Sequence, residues 1–245
     1  MSRPFVSVIT PTYNRRKFLP ALIECYKSQT YPKDRMEWIV LDDGTDCVRD
    51  VFEEAAKTIP NLRYLREEQK LLIGAKRNRL NDEAKGDIII AMDDDDYYFP
   101  ERVTHVVTKF SQNPKIELAG SSEIYIYFSD NKKIYRLGPY CQPGTDPKQC
   151  KHATNGTMAW RKSYAKTHRY DETVTHAEER SYLEDYKHPM IQLDPFKVML
   201  VMSHSQNTFD KKRIRDDPSP FVKETSMELK AFIKSAPLRA FFKDA

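Results

Sequence analysis

Hydrophobic and polar positions alternate between two periods along the first hundred residues. Phe5–Thr10, FVSVIT, is rich in β-branched residues and runs into the turn-type segment PTYNR, a strand followed by a turn. Apolar residues then recur at Phe18, Leu22, Ile23 and Tyr26, the spacing of one helix face, closing near Gln29–Pro32. A second short apolar run, Met36–Thr45, MEWIVLDDGT, ends in acidic residues and glycine. A helix is predicted from about Cys47 to Lys57, a strand at NLRYLRE, and a helix over Ile73–Gly86. Next comes DIIIAM, a continuous apolar strand of the kind buried on both faces of a parallel sheet. This strand–helix alternation predicts an α/β fold with a Rossmann-like, mostly parallel central sheet and right-handed crossovers.

The texture changes after Pro100. A helix to about Phe110 precedes two strand-like runs within 116–137, joined by the turn SDNKK, and a Pro/Gly/Cys loop over 138–152. ATNGTMAWRKSYA reads as a strand leading to a helix, THAEERSYLEDYKH as a second helix, and MIQLDPFKVMLVMSH as one or two strands ending at His204. The tail beyond Lys211 is charged and is predicted helical from about Pro220. This suggests a domain over 1–210, with a ligand-binding half at 1–100 and a mixed-sheet half at 101–210, then a separate tail over 211–245.

Composition narrows the classes. The 245 residues are 40% hydrophobic, enough for a sizeable core. Charged residues make up 31% with a net charge of +4, mildly basic and too weak to argue for nucleic acid. No stretch approaches the roughly 20 apolar residues of a membrane span, and the first residues lack a signal-peptide apolar region. Cys25, Cys47, Cys141 and Cys150 form no C-x-x-C pair, so a reduced, cytoplasmic protein with free thiols is expected. Cys141 and Cys150 flank the Pro/Gly loop and would pair only in an oxidising compartment.

The candidate chemistry sits at strand ends, where open α/β sheets bind ligands. Three carry polar clusters: TPTYNR, LDDGT and MDDDDYY. Four consecutive carboxylates, Asp93–Asp96, repel one another unless a cation compensates. In an extended segment Asp93 and Asp95 face one way, Asp94 and Asp96 the other. A strand end offering one or two carboxylates suits Mg2+ or Mn2+ with phosphate oxygens; the bland alternative is a solvated acidic turn. The run fails as an EF-hand loop, since Tyr98 and Thr104 stand where Gly and Glu are needed. Neither a P-loop nor a G-x-G-x-x-G fingerprint is present.

VSVITPTYNR, WIVLDDGT, IGAKRNRLNDEAKGDIIIAMDDDDYYFPERV and AEERSYL together resemble the inverting A-type glycosyltransferases, family 2 in particular, over about residues 5–205. The resemblance implies a GT-A fold and a metal-dependent inverting transfer from a nucleotide-diphosphate sugar, UDP favoured, to a hydroxyl of a glycan. It places Pro11, Thr12, Tyr13 and Arg15 at the base and ribose, and Asp43, or Asp42, at the base. Lys76, Arg77 and Asn78 fall near base and diphosphate. Asp93-x-Asp95 is similar to the family's DxD motif, with Asp95 on Mn2+ or Mg2+, Asp93 sharing the metal or, with Asp94, the ribose, and His204 as a third ligand. Glu179 corresponds to the catalytic base, with Glu178 the alternative because Glu-Glu stands where the family has Glu-Asp.

Weaker signals stay open between two readings. Trp160 either stacks on a sugar ring or packs in the core, and His204 is a ligand or a hydrogen-bonded core residue. Glu184 and Asp185 read as a solvated helix face. Asp210–Asp217, DKKRIRDD, is either a lid over the diphosphate or a charged loop. The tail's Met227, Leu229, Phe232, Ile233, Phe241 and Phe242 lie on a membrane surface or dock on the parent domain. Two other functions compete: a sugar-nucleotide nucleotidyltransferase, disfavoured because TPTYNRR lacks glycine, and a catalytically silent carbohydrate-binding protein.

Overall fold

The computed structural model describes residues 3–141, 144–207, 211–217 and 219–244. Strands β1 (Val6–Thr12), β2 (Met36–Asp42), β3 (Leu62–Arg66) and β4 (Ile88–Ala91) alternate with helices α1 (Leu19–Lys27), α2 (Arg49–Ala56) and α3 (Ile73–Glu83). A short β5 (Tyr97–Tyr98), α4 (Arg102–Gln112), β6 (Leu118–Gly120), β7 (Ile124–Phe128) and β8 (Lys133–Leu137) follow. Then come β9 (Ala159–Arg161), α5 (Lys162–Ala165), α6 (Glu179–Tyr182), β10 (Met190–Gln192) and β11 (Met199–Ser203). The chain closes with α7 (Lys212–Asp216), β12 (Val222–Glu224), α8 (Leu229–Phe232) and α9 (Ala236–Asp244).

Among the described residues the strands form two sheets, ordered β10-β6-β9-β4-β1-β2-β3 and β12-β8-β7-β11-β5. In the first, β3, β2, β1 and β4 are mutually parallel. Strand β9 runs antiparallel to both β4 and β6, so β6 and its parallel neighbour β10 point the same way as β4. The C-terminal ends of six strands therefore share one edge. The order reverses between β1 and β4, which opens the crevice where such sheets bind ligands.

The continuous apolar runs are explained by burial on both faces. Val6, Val8, Trp38, Val40, Ile88 and Ile90 enter one core with Leu19 and Leu22 of α1, Phe52 of α2, and Val103, Val106 and Phe110 of α4. The alternate residues Ile9, Ile39, Leu41, Ile89 and Ala91 enter a second core with Leu80 of α3 and a tyrosine cluster. Period-2 alternation thus divides two apolar faces, one for each layer of helices.

Several sequence expectations are corrected. Cys141 and Cys150 are not free thiols: they are joined as a disulfide, with Cα atoms 5.3 Å apart. The turn at Pro147–Gln149 brings Cys150 back to the start of its own loop. The helix expected over 175–188 shrinks to α6, because Ala177 before it and Glu184, Asp185 and Tyr186 after it adopt left-handed backbone (φ 46–61°). That bend buries Tyr182 and Leu183 in the second core, and Glu184 and Asp185 do not form a helix face. Beyond Pro220, where helix was expected, the tail first forms strand β12, paired to β8. In DKKRIRDD, Asp210 lies outside the described residues; beyond Lys211 the rest is mostly α7, with Arg215 held by Asp130 at 2.9 Å. Phe232, Ile233 and Phe242 are buried in the first core, so the tail docks on its own domain. No described helix is long and apolar enough to cross a membrane.

Candidate active site

The four aspartates do not split into two faces. Residues 94 and 95 form a turn, so each carboxylate takes a different direction. Asp93 accepts from Arg77 Nη2 at 3.1 Å, and its backbone N–H donates to the buried Tyr98 hydroxyl at 2.6 Å. Asp94 and Asp95 lie 3.9 and 3.7 Å from Arg15 Nε. Asp95 also lies 3.2 Å from His204 Nε2 and accepts from Asn207 Nδ2 at 3.2 Å. Asp96 turns away and accepts the Met202 N–H at 2.7 Å.

The second sheet delivers His204 to this turn. β5 pairs antiparallel with β11, Tyr98 opposite Met199 and Tyr97 opposite Leu200. The chain beyond Leu200 therefore runs back past Asp96 toward Asp95, and the Asp96–Met202 bond continues the register. Phe18 stacks on the His204 ring at 4.4 Å and fixes its plane. His204 Nε2 and Asp95 Oδ2 are spaced like neighbouring ligand atoms of one octahedral ion with bonds of about 2.1 Å, and one imidazole with carboxylates is a donor set for Mn2+ or Mg2+. The residues present fit such a cation.

Electrostatics sort the carboxylates. Burial and the neighbouring Asp95 push Asp94 up to about 7. Burial also opposes ionisation of Asp95, but His204, Lys211 and Arg15 outweigh it and hold that carboxyl at about 2. Burial and Asp95 raise Asp96 well above the usual range, consistent with a supporting role. Asp95, beside His204, is thus the member of the run held most firmly ionised.

The other strand ends are placed as follows. Pro11 and Thr12 end β1 opposite Leu41 and Asp42 and are buried. Tyr13 is half-buried under the Lys70 ammonium, 4.3 Å from its ring. Asp42 is fully buried and structural: it accepts from Gly44 N–H, Val48 N–H and the Tyr64 hydroxyl, and pairs with Arg66 at 3.2 Å. It is therefore not available to a base, which corrects its candidacy. Asp43 accepts the Leu71 N–H at 2.7 Å and pairs with Lys76, whose Nζ also donates to the Thr12 carbonyl at 2.9 Å. Arg15, expected at base and ribose, instead spans the acidic turn.

Arg77 joins the two halves of the site. Its buried guanidinium donates to Asp93 and, through Nε at 2.7 Å, to Glu178 at the start of α6. With its amide turned to donate to the Tyr170 hydroxyl, Asn155 also accepts from Arg77 Nη1 at 2.8 Å. At the adjacent Gly156 an added Cβ would lie 3.0 Å from Met199 Cε and 3.1 Å from Asp93 Oδ2, so these side chains would have to give by a few tenths of an ångström. Glu179, next to Glu178, has its carboxyl raised to about 7 by burial and then by repulsion from Glu178.

Two further candidates are placed away from ligand. Asn78 uses its whole amide on the 170–172 segment, donating to the Tyr170 carbonyl and Glu172 and accepting the Tyr170 N–H. Trp160 is fully buried in the second core and donates to Asn81 at 3.0 Å, so it cannot stack on a sugar. Sequence reasoning missed Asn155, Gly156, Tyr98 and Asn207. Only Asn207 left a signal, a polar residue three positions after His204.

Comparison with known proteins adds the family. Residues 7–176 match the model of Glycosyl transferase family 2, which takes in the strand ends and stops short of Glu178, Glu179 and His204. An uncharacterized glycosyltransferase of Haemophilus influenzae is 34% identical over 112 residues, 45% of this chain and 36% of that protein. Glycosyltransferase AglE of Haloferax volcanii is 33% identical over 93 residues, 38% of this chain and 31% of that one. The chain spans less than half the length of these curated relatives. Staphylococcus aureus TarS 1–349, solved with UDP-GlcNAc, superposes over 83% of this chain and 60% of its own with a TM-score of 0.61 at 19% identity. The Pyrobaculum calidifontis mannosyltransferase PcManGT, solved with GDP-Man and Mn2+, superposes over 99% of this chain and 70% of its own, with a TM-score of 0.65 at 15% identity. At those identities the likeness is one of fold, and with the family match over most of the chain it makes this protein a member of glycosyl transferase family 2 built on the GT-A fold.

Proposed function

We propose that this glycosyltransferase moves a hexosyl group from a nucleotide-diphosphate sugar, UDP-linked by preference, to a glycan hydroxyl, with inversion and with a divalent cation. The observation that carries the reading is Arg77, which ties the acidic end of β4 to the start of α6. Donor and acceptor chemistry are thereby held in one unit: residues 1–100 serve the donor and 101–210 the acceptor. The fold neighbours solved with UDP-GlcNAc and with GDP-Man and Mn2+ support the ligand class.

Asp95 and His204 would hold the cation, with Asp93 beside them. A cation held there would supply charge neutralisation for the departing diphosphate. Tyr13 frames the nucleobase beside the buried Asp43–Lys76 pair, and Arg15, already against Asp94 and Asp95, lies at the diphosphate side. Because Glu178 is spent on Arg77, Glu179 is the carboxylate left to act as base. Its raised pKa brings it near the working pH that general-base catalysis favours. The acceptor oxygen bonds to the anomeric carbon as the bond to the diphosphate oxygen breaks, and the hydroxyl proton passes to Glu179. No covalent sugar–enzyme intermediate is needed.

The test is a panel of UDP-, GDP- and dTDP-sugars with and without Mn2+, read as nucleotide release and donor binding. Asp95→Asn is expected to lose metal-dependent donor binding. Glu179→Gln is expected to bind donor normally while kcat falls about 10²–10⁴-fold. Full turnover in both variants with a donor that wild type uses would sink the assignment.

A further inference from the structure

A second group of metal-ligating side chains lies outside the acidic turn, where α5 meets the segment after α6. The ligand atoms of His168, Glu184 and His188 all lie within 4.8 Å of one another. His188 Nε2 is 3.2 Å from one Glu184 oxygen, and His168 Nε2 is 3.8 Å from the other. Ligand atoms sharing a tetrahedral ion with bonds of about 2.0–2.1 Å sit roughly 3.3 Å apart, so small side-chain rotations suffice. From this geometry we infer that His168, Glu184 and His188 form a divalent transition-metal site, with Zn2+ the fitting ion, which clamps the segment after α6 to the end of α5.

The surroundings of His168 carry the argument beyond proximity. Its Nδ1 lies 3.1 Å from the Tyr164 carbonyl and 2.9 Å from the Thr167 hydroxyl. Nδ1 is thus engaged by its own segment, and Nε2 is the ring nitrogen turned toward Glu184. That nitrogen faces a Glu184 oxygen at 3.8 Å, where a shared cation would join the two. An imidazole whose far nitrogen donates to a backbone carbonyl is the usual orientation of a metal-bound histidine. The rings share one aromatic wall: His168 lies flat on Tyr164 at 3.8 Å, and His188 stands edge-on to both, 5.0 Å from His168 and 5.4 Å from Tyr164. Tyr164 is anchored in turn by its hydroxyl, which donates to the Tyr182 carbonyl at 2.7 Å.

The backbone points the same way. Glu184, Asp185 and Tyr186 are three successive residues in left-handed conformation, at φ 46°, 57° and 61°, which L-residues adopt rarely. A ligand held by Glu184 and His188 closes that loop across its two ends. Two imidazoles and one carboxylate favour Zn2+, Co2+ or Ni2+ over Mg2+ and Ca2+, and three protein ligands leave a fourth place for water. Glu184 is half exposed, so an ion reaches it from solvent.

The experiment is a titration of purified, chelator-treated full chain with Co2+, followed by visible absorption, with Zn2+ as competitor. Four-coordinate Co2+ absorbs strongly, whereas an octahedral ion at the acidic turn absorbs weakly, so the two sites separate by intensity. One equivalent is expected to give the strong band, and Zn2+ to abolish it. Asp95→Asn keeps the band. His188→Ala and the more exposed Glu184→Gln weaken it by about 100-fold or more, beyond the roughly 10–100-fold of losing an outer-shell partner. Zn2+ is also expected to raise the Tm of Asp95→Asn by several degrees and leave a folded Asp95→Asn/Glu184→Gln double variant unmoved. Absence of the strong band in folded wild type overturns the inference, as does a band that survives both substitutions or disappears in Asp95→Asn.

Discussion

Adjacent carboxylates at 178 and 179 have opposite fates because only one meets Arg77. The guanidinium holds Glu178 at 2.7 Å, while Glu179 is left with burial and the charge of its neighbour, which bring it to about 7. A base acts only when ionised. In a bell-shaped or plateau profile, kcat/KM is therefore expected to rise tenfold per pH unit up to about 7 and level above it. Glu179→Gln should remove that limb; a limb that persists in the variant assigns the base elsewhere. The same group affects stability. The folded chain binds this proton more tightly than the unfolded chain, so stability falls as pH rises between about 4.5 and about 7. Glu179→Gln should raise Tm relative to wild type more at pH 8 than at pH 5, by no more than about 3 kcal/mol in stability. At this scale the sequence was informative where residue type and position jointly limited the options. The meeting of Asp95 and His204 across about a hundred residues was expected only from the family resemblance. The sequence was uninformative for Asp42 and Asp43, which differ only in where a turn points each carboxylate.

Helix α3 shows how one element positions three regions. Lys76, Arg77 and Asn78 are consecutive, so their side chains leave the helix about 100° apart. Lys76 reaches Asp43 and β1, Arg77 reaches Asp93 and Glu178, and Asn78 pins the 170–172 segment. Arg77→Lys keeps the charge but loses the fork that spans two carboxylates. It should fold, yet lower kcat/KM by about 10²-fold, because Glu178 and α6 are no longer fixed against Asp93. Wild-type kinetics in the lysine variant would show that a point charge suffices. Gly74 tests the same packing from the backbone side. Propensity alone says Gly→Ala in a helix stabilises by about 1 kcal/mol. Here an added Cβ would fall 2.0 Å from the Asp171 carbonyl oxygen, too close for any real contact. The clash should win, so Gly74→Ala is expected to lower the urea midpoint; a gain would mean the 171 segment yields freely. The strands and long helices of the first half could be read because both faces of the sheet are apolar. The helix over 175–188 could not, since three left-handed residues leave no mark in a hydrophobic pattern.

The whole molecule is two sheets sealed by its own tail. The order of the strand–helix half follows from short connections, but that β5 would pair with β11 and carry His204 to Asp95 depends on a two-residue strand that no periodicity reveals. The tail was ambiguous for a different reason: an amphipathic helix reads alike whether its apolar face meets lipid or protein. Contacts decide it here. Phe232 packs near Phe99 and Tyr125, Phe242 meets Tyr97 edge-on at 6.1 Å, and Phe241 meets Phe18 at 6.0 Å. Phe18 is the ring stacked on His204, so α9 supports the wall of the candidate site at one remove. Phe242 is fully buried, and truncating a buried phenylalanine costs about 3–5 kcal/mol. Phe242→Ala should therefore lower stability by that order in urea or thermal unfolding, and the intact chain should not float with neutral vesicles through its tail. Exposed Met227→Ala, on the same segment, should change stability by no more than about 0.5 kcal/mol. Equal and small effects of the two substitutions, together with vesicle binding lost in Phe242→Ala, would place α9 on a membrane instead of against Tyr97 and Phe18.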